Sequence, residues 1–268
     1  MQNKKIGFIG AGKMGGAIIK GLISSGFVAK ENIFASESTP EAAQEAAERL
    51  GIEVITDNSK LITESDVVVL ATKPYVIKKL LETLKHSFKE NKLVISIAAG
   101  ISTSSIEEIL DNDVPVIRVM PNTPALVEEG MTAICRGRCA NDDHAGLTKE
   151  LFSKVGRSCE VPEHLIDAVT GVSGSGPAFF YLIIEALADG GVKLGIPKAT
   201  ALELAAQTAL GAAKMILETG KHPSVLKDEV TTPGGCTAAG LATLEENAIR
   251  SAMIKTVADT AKSASCLG

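Results

Sequence analysis

The stretch from Lys4 to Ser25 constrains the fold more than any other. Lys4-Lys5-Ile6-Gly7-Phe8-Ile9 reads as a short buried strand, charged at its start and apolar after it. It runs directly into Gly10-Ala11-Gly12-Lys13-Met14-Gly15, then into a helical pattern carrying Ala17, Ile18, Ile19, Leu22 and Ile23. Strand, G-x-G-x-x-G and helix, in that order, are what a dinucleotide-binding βαβ unit requires. Each glycine has its own task. Gly10 permits the tight turn, Gly12 lets the backbone approach a pyrophosphate, and Gly15 allows helix and strand to pack closely. The helix start adds free N–H groups and the positive end of its dipole.

The chain continues in the same alternation. Asn32–Ser36, Glu53–Ile55, Asp66–Ala71, Leu93–Ile97 and Val114–Met120 read as strands. Helical patterns fall over Pro40–Leu50, after Thr72-Lys73-Pro74, and over Ser102–Leu110. Asp66–Ala71 is nearly all apolar, as a parallel strand covered on both faces must be. This order specifies a doubly wound parallel sheet, with every strand's carboxyl end on one edge where ligands bind. Met131–Cys135 and Arg157–Val161 read as extra strands flanking a helix over Asp142–Val155. Near Pro162 the pattern changes to long helices rich in Ala, Gly and Leu, over Pro177–Leu194, Lys198–Thr219, Ser224–Glu229 and from Ala238 to about Ser265. The fold expected is α/β: a Rossmann-type sheet over 1–162, then an all-α helical domain over 163–268. The helices carry broader apolar stripes than one small bundle can hide, so a partner subunit is expected to cover them.

Composition narrows the function. A net charge of −5 with no block of Lys or Arg argues against nucleic acid and against a polybasic membrane anchor. The longest apolar runs, such as Val67–Ala71, are strand-length and too short for a bilayer, so no membrane span is expected. Lys13 and the glycines interrupt the amino terminus before a signal-like core forms, and a cytoplasmic protein is expected. Five cysteines at 135, 139, 159, 236 and 266 match no zinc spacing, so they read as free thiols and no metal is expected. With no Trp and only nine Phe and Tyr, stacking on bases is not an expected binding mode.

Three further places attract chemistry. Just past the strand ends lie Ser36-Glu37, Asn58, Lys73 and Ala98-Ala99-Gly100. An acidic residue after the second strand accepts a ribose hydroxyl, so Glu37 favours NADH over NADPH. Lys73 reads equally as a wall of the cofactor groove or as a solvated charge at a helix start. Gly171-Val172-Ser173-Gly174-Ser175-Gly176-Pro177 reads as a loop bringing backbone close to cofactor or substrate, against a plain hinge. Thr231–Gly240 opens a helix behind Gly234-Gly235, with hydroxyls at Thr232 and Thr237. It reads either as a small-carboxylate site of amides and hydroxyls or as a capping turn. No acid–base pair accompanies these places, since His86, His144, His164 and His222 all lie away from the sheet edge. Alcohol dehydrogenation needs a base, whereas a protonated imine needs orientation, an anchor and a hydride. The poverty in titratable groups points to an imine.

These residues resemble the pyrroline-5-carboxylate reductase family over essentially the whole chain. The resemblance rests on Ile6–Met14, Ala71–Pro74, Arg118–Pro124, Asp167–Ala178, Glu185–Val192 and Pro233–Thr237. It implies reduction of 1-pyrroline-5-carboxylate to L-proline with NADP or NAD in reduced form, a small imino-acid substrate, and a homodimer often assembled further into decamers. It also implies that Thr237 sits beside the pyrroline nitrogen as the catalytic residue. Thr232, Gly234, Gly235, Cys236 and Thr237 would hold the substrate. The cofactor would meet Gly10, Gly12, Lys13, Met14, Gly15, Ser36, Glu37, Asn58, Ala71, Lys73, Pro74, Ala98 and Asn122. Glu37 departs from relatives that carry a small hydroxyl residue there. Two other classes share parts of the pattern. A related Rossmann-plus-helical dehydrogenase, or an imine reductase for another small carboxylate, shares the plan. The dehydrogenase should show a lysine base, for which only Lys193 and Lys214 are tempting. A non-catalytic dinucleotide sensor would need only the first loop.

Overall fold

The computed structural model describes residues 3–110 and 113–266. Its contacts divide the chain into two compact units, Met1–Gly174 with Thr260–Gly268, and Ser175–Asp259.

In the first unit, β1 (Ile6–Ile9), β2 (Ile33–Ser36), β3 (Glu53–Ile55), β4 (Val67–Leu70), β5 (Leu93–Ser96), β6 (Val116–Met120), β7 (Gly130–Arg136) and β8 (Gly156–Glu160) form one sheet of order β3-β2-β1-β4-β5-β6-β7-β8. All neighbours are parallel except β6 and β7. The order reverses between β1 and β4, which makes that gap the crevice where open α/β sheets take ligands. Ile6 stands opposite both Ile33 and Val67, so β1 is the central strand of the motif.

Strand alternation divides the core into two layers. Ile6, Phe8, Val67 and Val69 face α1 (Lys13–Ser24), α2 (Pro40–Leu50) and, after three more helices, α6 (Asp142–Phe152). Ile9, Val68 and Leu70 face those three, α3 (Asn58–Glu64), α4 (Pro74–Leu84) and α5 (Thr103–Leu110). Thr39 caps α2 by accepting the Ala42 N–H, and Gly51 ends it at φ +68°. α3 lies outside the helical patterns that the sequence shows. Asp57 caps this short helix by accepting the Lys60 N–H at 3.0 Å. His144 is half-buried and accepts the Asn141 N–H as part of a capping box. Burial lowers its pKa. Arg118 on β6 pairs with Glu163 at 3.2 Å, and Glu163 also accepts the Thr103 N–H at 2.8 Å.

After β8 come α7 (Ile166–Val169) and a π-helical turn over Thr170–Gly174. The expected glycine loop is therefore wound into a helix, of the wide-turn kind that concentrates at functional sites.

The second unit is helical. It contains α8 (Gly176–Lys193), α9 (Lys198–Thr219), α10 (Pro223–Glu229), α11 (Cys236–Glu246) and part of α12 (Ile249–Ala264). Its buried core is small, Ala188, Ala201 and Ala205 packed with Ile184. Phe180, Tyr181, Leu187, Leu204, Leu210 and Leu217 all stand exposed. Glu163–Lys193 is by length and composition apolar enough to cross a bilayer. Asp167, Glu185 and Asp189 interrupt this stretch without making it polar overall. Such a helix is also what a subunit interface needs, and composition alone does not separate the two.

Candidate functional site

The crevice between β1 and β4 opens into a groove of about 820 Å³ on the carboxyl edge of the sheet. Gly10 makes the turn out of β1 with φ +96°, its N–H held by the Ser36 carbonyl at 2.9 Å. A Cβ on Gly10 would stand 2.9 Å from the Ala71 carbonyl oxygen, and one on Gly15 would stand 2.7 Å from the Gly10 oxygen. Any side chain at either position would push the loop off β4 or α1 off the loop. Gly12 differs, because a Cβ there would meet nothing within 4 Å. Its freedom is needed on the open side, toward the groove. Gly12 is also the N-cap of α1, with no side-chain cap and no acidic residue in the first turn. The helix start thus faces the groove with no side chain of its own capping its first amides.

Ser36 and Glu37 end β2. The buried Ser36 hydroxyl donates to Asn58 Oδ1 at 2.5 Å, which fixes Asn58 at the start of α3. Glu37 Oε1 accepts the Ala11 N–H at 2.7 Å, and Arg49 Nη2 donates to the Ala11 carbonyl at 2.6 Å. The glycine loop is therefore clamped from both sides at Ala11. Ala71, Lys73, Pro74 and Ala98 line the groove along with Lys13 and Met14. Lys73 is exposed, and Pro74 starts α4, where its missing N–H costs nothing.

Eleven of the cofactor candidates thus come together on one groove, Gly10, Gly12, Lys13, Met14, Ser36, Glu37, Asn58, Ala71, Lys73, Pro74 and Ala98. Gly15 is buried behind the loop. Asn122 is buried as well, donating from Nδ2 to the Ser173 carbonyl at 3.0 Å and accepting the Met131 N–H at 2.8 Å. Its neighbour Thr123 reaches the groove instead. Sequence reasoning missed Thr72, Tyr75 and the Arg49 clamp. Thr72 Oγ1 is buried against the groove with no hydrogen-bond partner among the described residues. Such an orphan is costly unless something fills the site. The open position at Gly12, the uncapped α1 and this hydroxyl together fit a dinucleotide.

In the second unit, Thr232-Pro233-Gly234-Gly235 forms a tight turn, Gly234 at φ +71° and the Gly235 N–H on the Thr232 carbonyl at 2.9 Å. A Cβ on Gly235 would lie 2.3 Å from Thr232 Oγ1, so the threonine packs on the glycine. Gly235 is the N-cap of α11 and carries no side-chain cap. Thr237 is the second helical residue, half-buried, and its hydroxyl makes no hydrogen bond among the described residues. The capping alternative needed that hydroxyl on a helix amide. Cys236 is exposed. Of the two lysines considered as bases, Lys214 sits 3.5 Å from Glu218 on the surface of α9, and Lys193 ends α8. The groove lining includes no histidine.

A doubly wound sheet with a clamped glycine loop, followed by helices with bare apolar faces, defines a Rossmann-type dinucleotide-binding protein with a helical association domain. A family model described as NADP oxidoreductase, coenzyme F420-dependent, matches residues 5–100, and one for pyrroline-5-carboxylate reductase dimerisation matches residues 163–267. The pyrroline-5-carboxylate reductase of Methanosarcina acetivorans is 50% identical over 257 residues, 96% of this chain and 95% of that one. The solved pyrroline-5-carboxylate reductase of Coxiella burnetii superposes with a TM-score of 0.93 at 36% identity, covering 99% of this chain and 98% of the other. The Plasmodium falciparum pyrroline carboxylate reductase, solved with NADP bound, gives 0.88 at 32% identity, covering 100% and 99%. The chain belongs to the pyrroline-5-carboxylate reductase family.

Proposed function

We propose that this protein reduces the C=N bond of 1-pyrroline-5-carboxylate to L-proline, the last step of proline biosynthesis, using NADPH or NADH. The observation that carries this reading, in a chain of this family, is a pair of glycine-built sites furnished with amides and hydroxyls, the groove lining holding no histidine. Residues 1–162 bind the dinucleotide, and residues 163–268 bind substrate and dimerise. The bound coenzyme supplies a hydride. The α1 start and Gly12 hold its pyrophosphate, Glu37 meets the adenosine ribose, and Ala98, with Thr123 beside the buried Asn122, marks the nicotinamide end. The Thr232–Thr237 turn holds the substrate carboxylate through its amides and hydroxyls. Thr237 orients the proton at the ring nitrogen. The enzyme works as a homodimer in the cytoplasm, with further assembly into decamers on the same family reading. The bare apolar faces of α8 and α9 support burial against a second copy over insertion into lipid, because the dimerisation model spans both.

Stopped-flow oxidation of NADPH and NADH against a panel of cyclic imines and 2-oxoacids tests the proposal. Rapid turnover of 1-pyrroline-5-carboxylate, with none of 2-oxoacids, is expected. Preferred turnover of a 2-oxoacid would make the protein a hydroxyacid dehydrogenase, and no turnover with tight coenzyme binding would make it a sensor.

A further inference from the structure

Aromatic rings are scarce in this chain, and most of those in the sheet unit lie in its core. Phe8, Phe27, Phe34, Phe88 and Phe152 are all buried. Tyr75 is the exception, 85% exposed. It is the second residue of α4 and lies on the wall of the groove. α4 docks onto the sheet through Ile77 and Leu81, which are fully buried. Those two residues satisfy the helix's need for an apolar face. Pro74, Val76 and Leu80, partly buried, carry the apolar surface around to the groove, and Tyr75 stands bare at its edge. Leaving a large ring in water forgoes the benefit of burying it, so a groove wall of this kind is furnished for a ligand.

The rest of the groove says which part of a ligand comes here. Anion binding belongs to the Gly10–Gly12 turn and the start of α1. Glu37, Ser38 and Asn58, at the ends of β2 and β3, offer polar groups suited to a sugar. A flat apolar wall in the same groove suits a planar base. We infer that Tyr75 stacks on the adenine of the bound dinucleotide. Tyrosine is suited to this, since its ring offers a broad face with few rotatable bonds and keeps its hydroxyl in water. The scarcity of aromatics argued against base stacking in the sequence, but one ring in the right place is enough. This inference rests on the dinucleotide reading of the groove and adds a residue that selects for the adenosine half.

The test is binding to the full-length protein, followed by calorimetry and NMR. Tyr75 is exposed, so Tyr75→Ala should fold as the parent does, checked by its melting temperature. Loss of the ring should weaken both NADPH and NADH roughly fivefold to a hundredfold, the range for one base–aromatic stack. Tyr75→Phe should keep the parent's affinity, because the ring remains. AMP should lose affinity as the dinucleotides do, whereas reduced nicotinamide mononucleotide, which lacks adenine, should bind both proteins alike. The adenine H2 and H8 resonances should move upfield on binding to the parent and to Tyr75→Phe, and not to Tyr75→Ala. Dinucleotide binding by Tyr75→Ala within twofold of the parent would overturn the assignment, and so would equal weakening of the mononucleotide. Failure of the parent itself to bind any dinucleotide would instead bring down the functional reading of the groove, and this inference with it.

Discussion

Glu37 and Ala11 are joined by a hydrogen bond of 2.7 Å, from the loop amide to the carboxylate. One carboxylate oxygen is thereby committed to shaping the glycine loop. The pairing explains how a residue just past β2 can be held facing the groove rather than the solvent. Arg49, on the carbonyl of the same residue, completes the clamp from α2. That bond fixes the guanidinium against the loop backbone.

Replacing the carboxylate should change coenzyme choice. A 2′-phosphate beside Glu37 meets like charge, whereas a 2′-hydroxyl can donate to its second oxygen. Glu37→Ser is expected to shift the NADPH-to-NADH affinity ratio toward NADPH by roughly fivefold or more, since two unit charges about 4 Å apart repel by about 1 kcal/mol even in bulk water. Fluorescence titration with both reduced coenzymes measures it. An unchanged ratio would mean that Glu37 serves only the loop.

The thiols should differ sharply in reactivity. Burial raises the Cys135 pKa to about 12, with the Glu163 charge adding to the rise and Arg118 opposing it. Its Sγ lies 3.6 Å from the Arg118 carbonyl. Near pH 8 such a thiol has about a thousandfold less thiolate than an exposed one, and the thiolate is the reacting form. Brief maleimide treatment followed by peptide mass spectrometry should find Cys135 unmodified in the folded protein and modified after denaturation. Labelling of Cys135 at the rate of a free thiol would show that β7 opens readily.

Association should be obligatory. α8 and α9 bury little beyond Ala188, Ala201 and Ala205, while leucines on both helices stand in water. Light scattering at low micromolar concentration is expected to give at least a dimer. Leu204→Glu should weaken association and stability together. A monomeric mass with full activity would refute the role given to these faces.

Much of this was legible from the chain because the signals were local and strong. Val67–Leu70 could only be a strand buried on both faces, and Gly10 and Gly15 could only be where backbones touch. The groove candidates were legible for a topological reason. A parallel sheet puts Ser36, Ala71 and Ala98 on one edge whatever its other details. What escaped depended on three-dimensional neighbours. α3 is short, and its Asp57 cap looks like a loop residue until the Lys60 amide is seen on it. Nothing in Gly130–Arg136 betrays that β7 runs against β6, since both directions bury the same residues. The empty hydrogen-bonding capacity of Thr72 and the bare ring of Tyr75 are facts about what does not surround them. No spacing rule reports that.

Thr237 offers the sharpest test of the chemistry. The capping alternative for this residue required its hydroxyl to satisfy the start of α11, yet Gly235 is the N-cap and no side chain caps the helix. The hydroxyl is left available beside a turn whose amides suit a carboxylate. A threonine hydroxyl is too weak an acid to protonate an imine outright. Its expected role is to orient and polarise the proton at the ring nitrogen as the C=N carbon accepts hydride. Removing one oriented donor from a site of this kind costs about 2.7–4 kcal/mol in the transition state, roughly a hundredfold to a thousandfold in rate. Thr237→Ala should therefore lose turnover by that factor while binding coenzyme as the parent does. Thr237→Ser should retain much of the rate, because the donor survives. The separation matters, since a purely structural role would move stability and coenzyme affinity as well as kcat. Should Thr237→Ala turn over like the parent, the hydroxyl takes no part in catalysis and the proton is handled by another group.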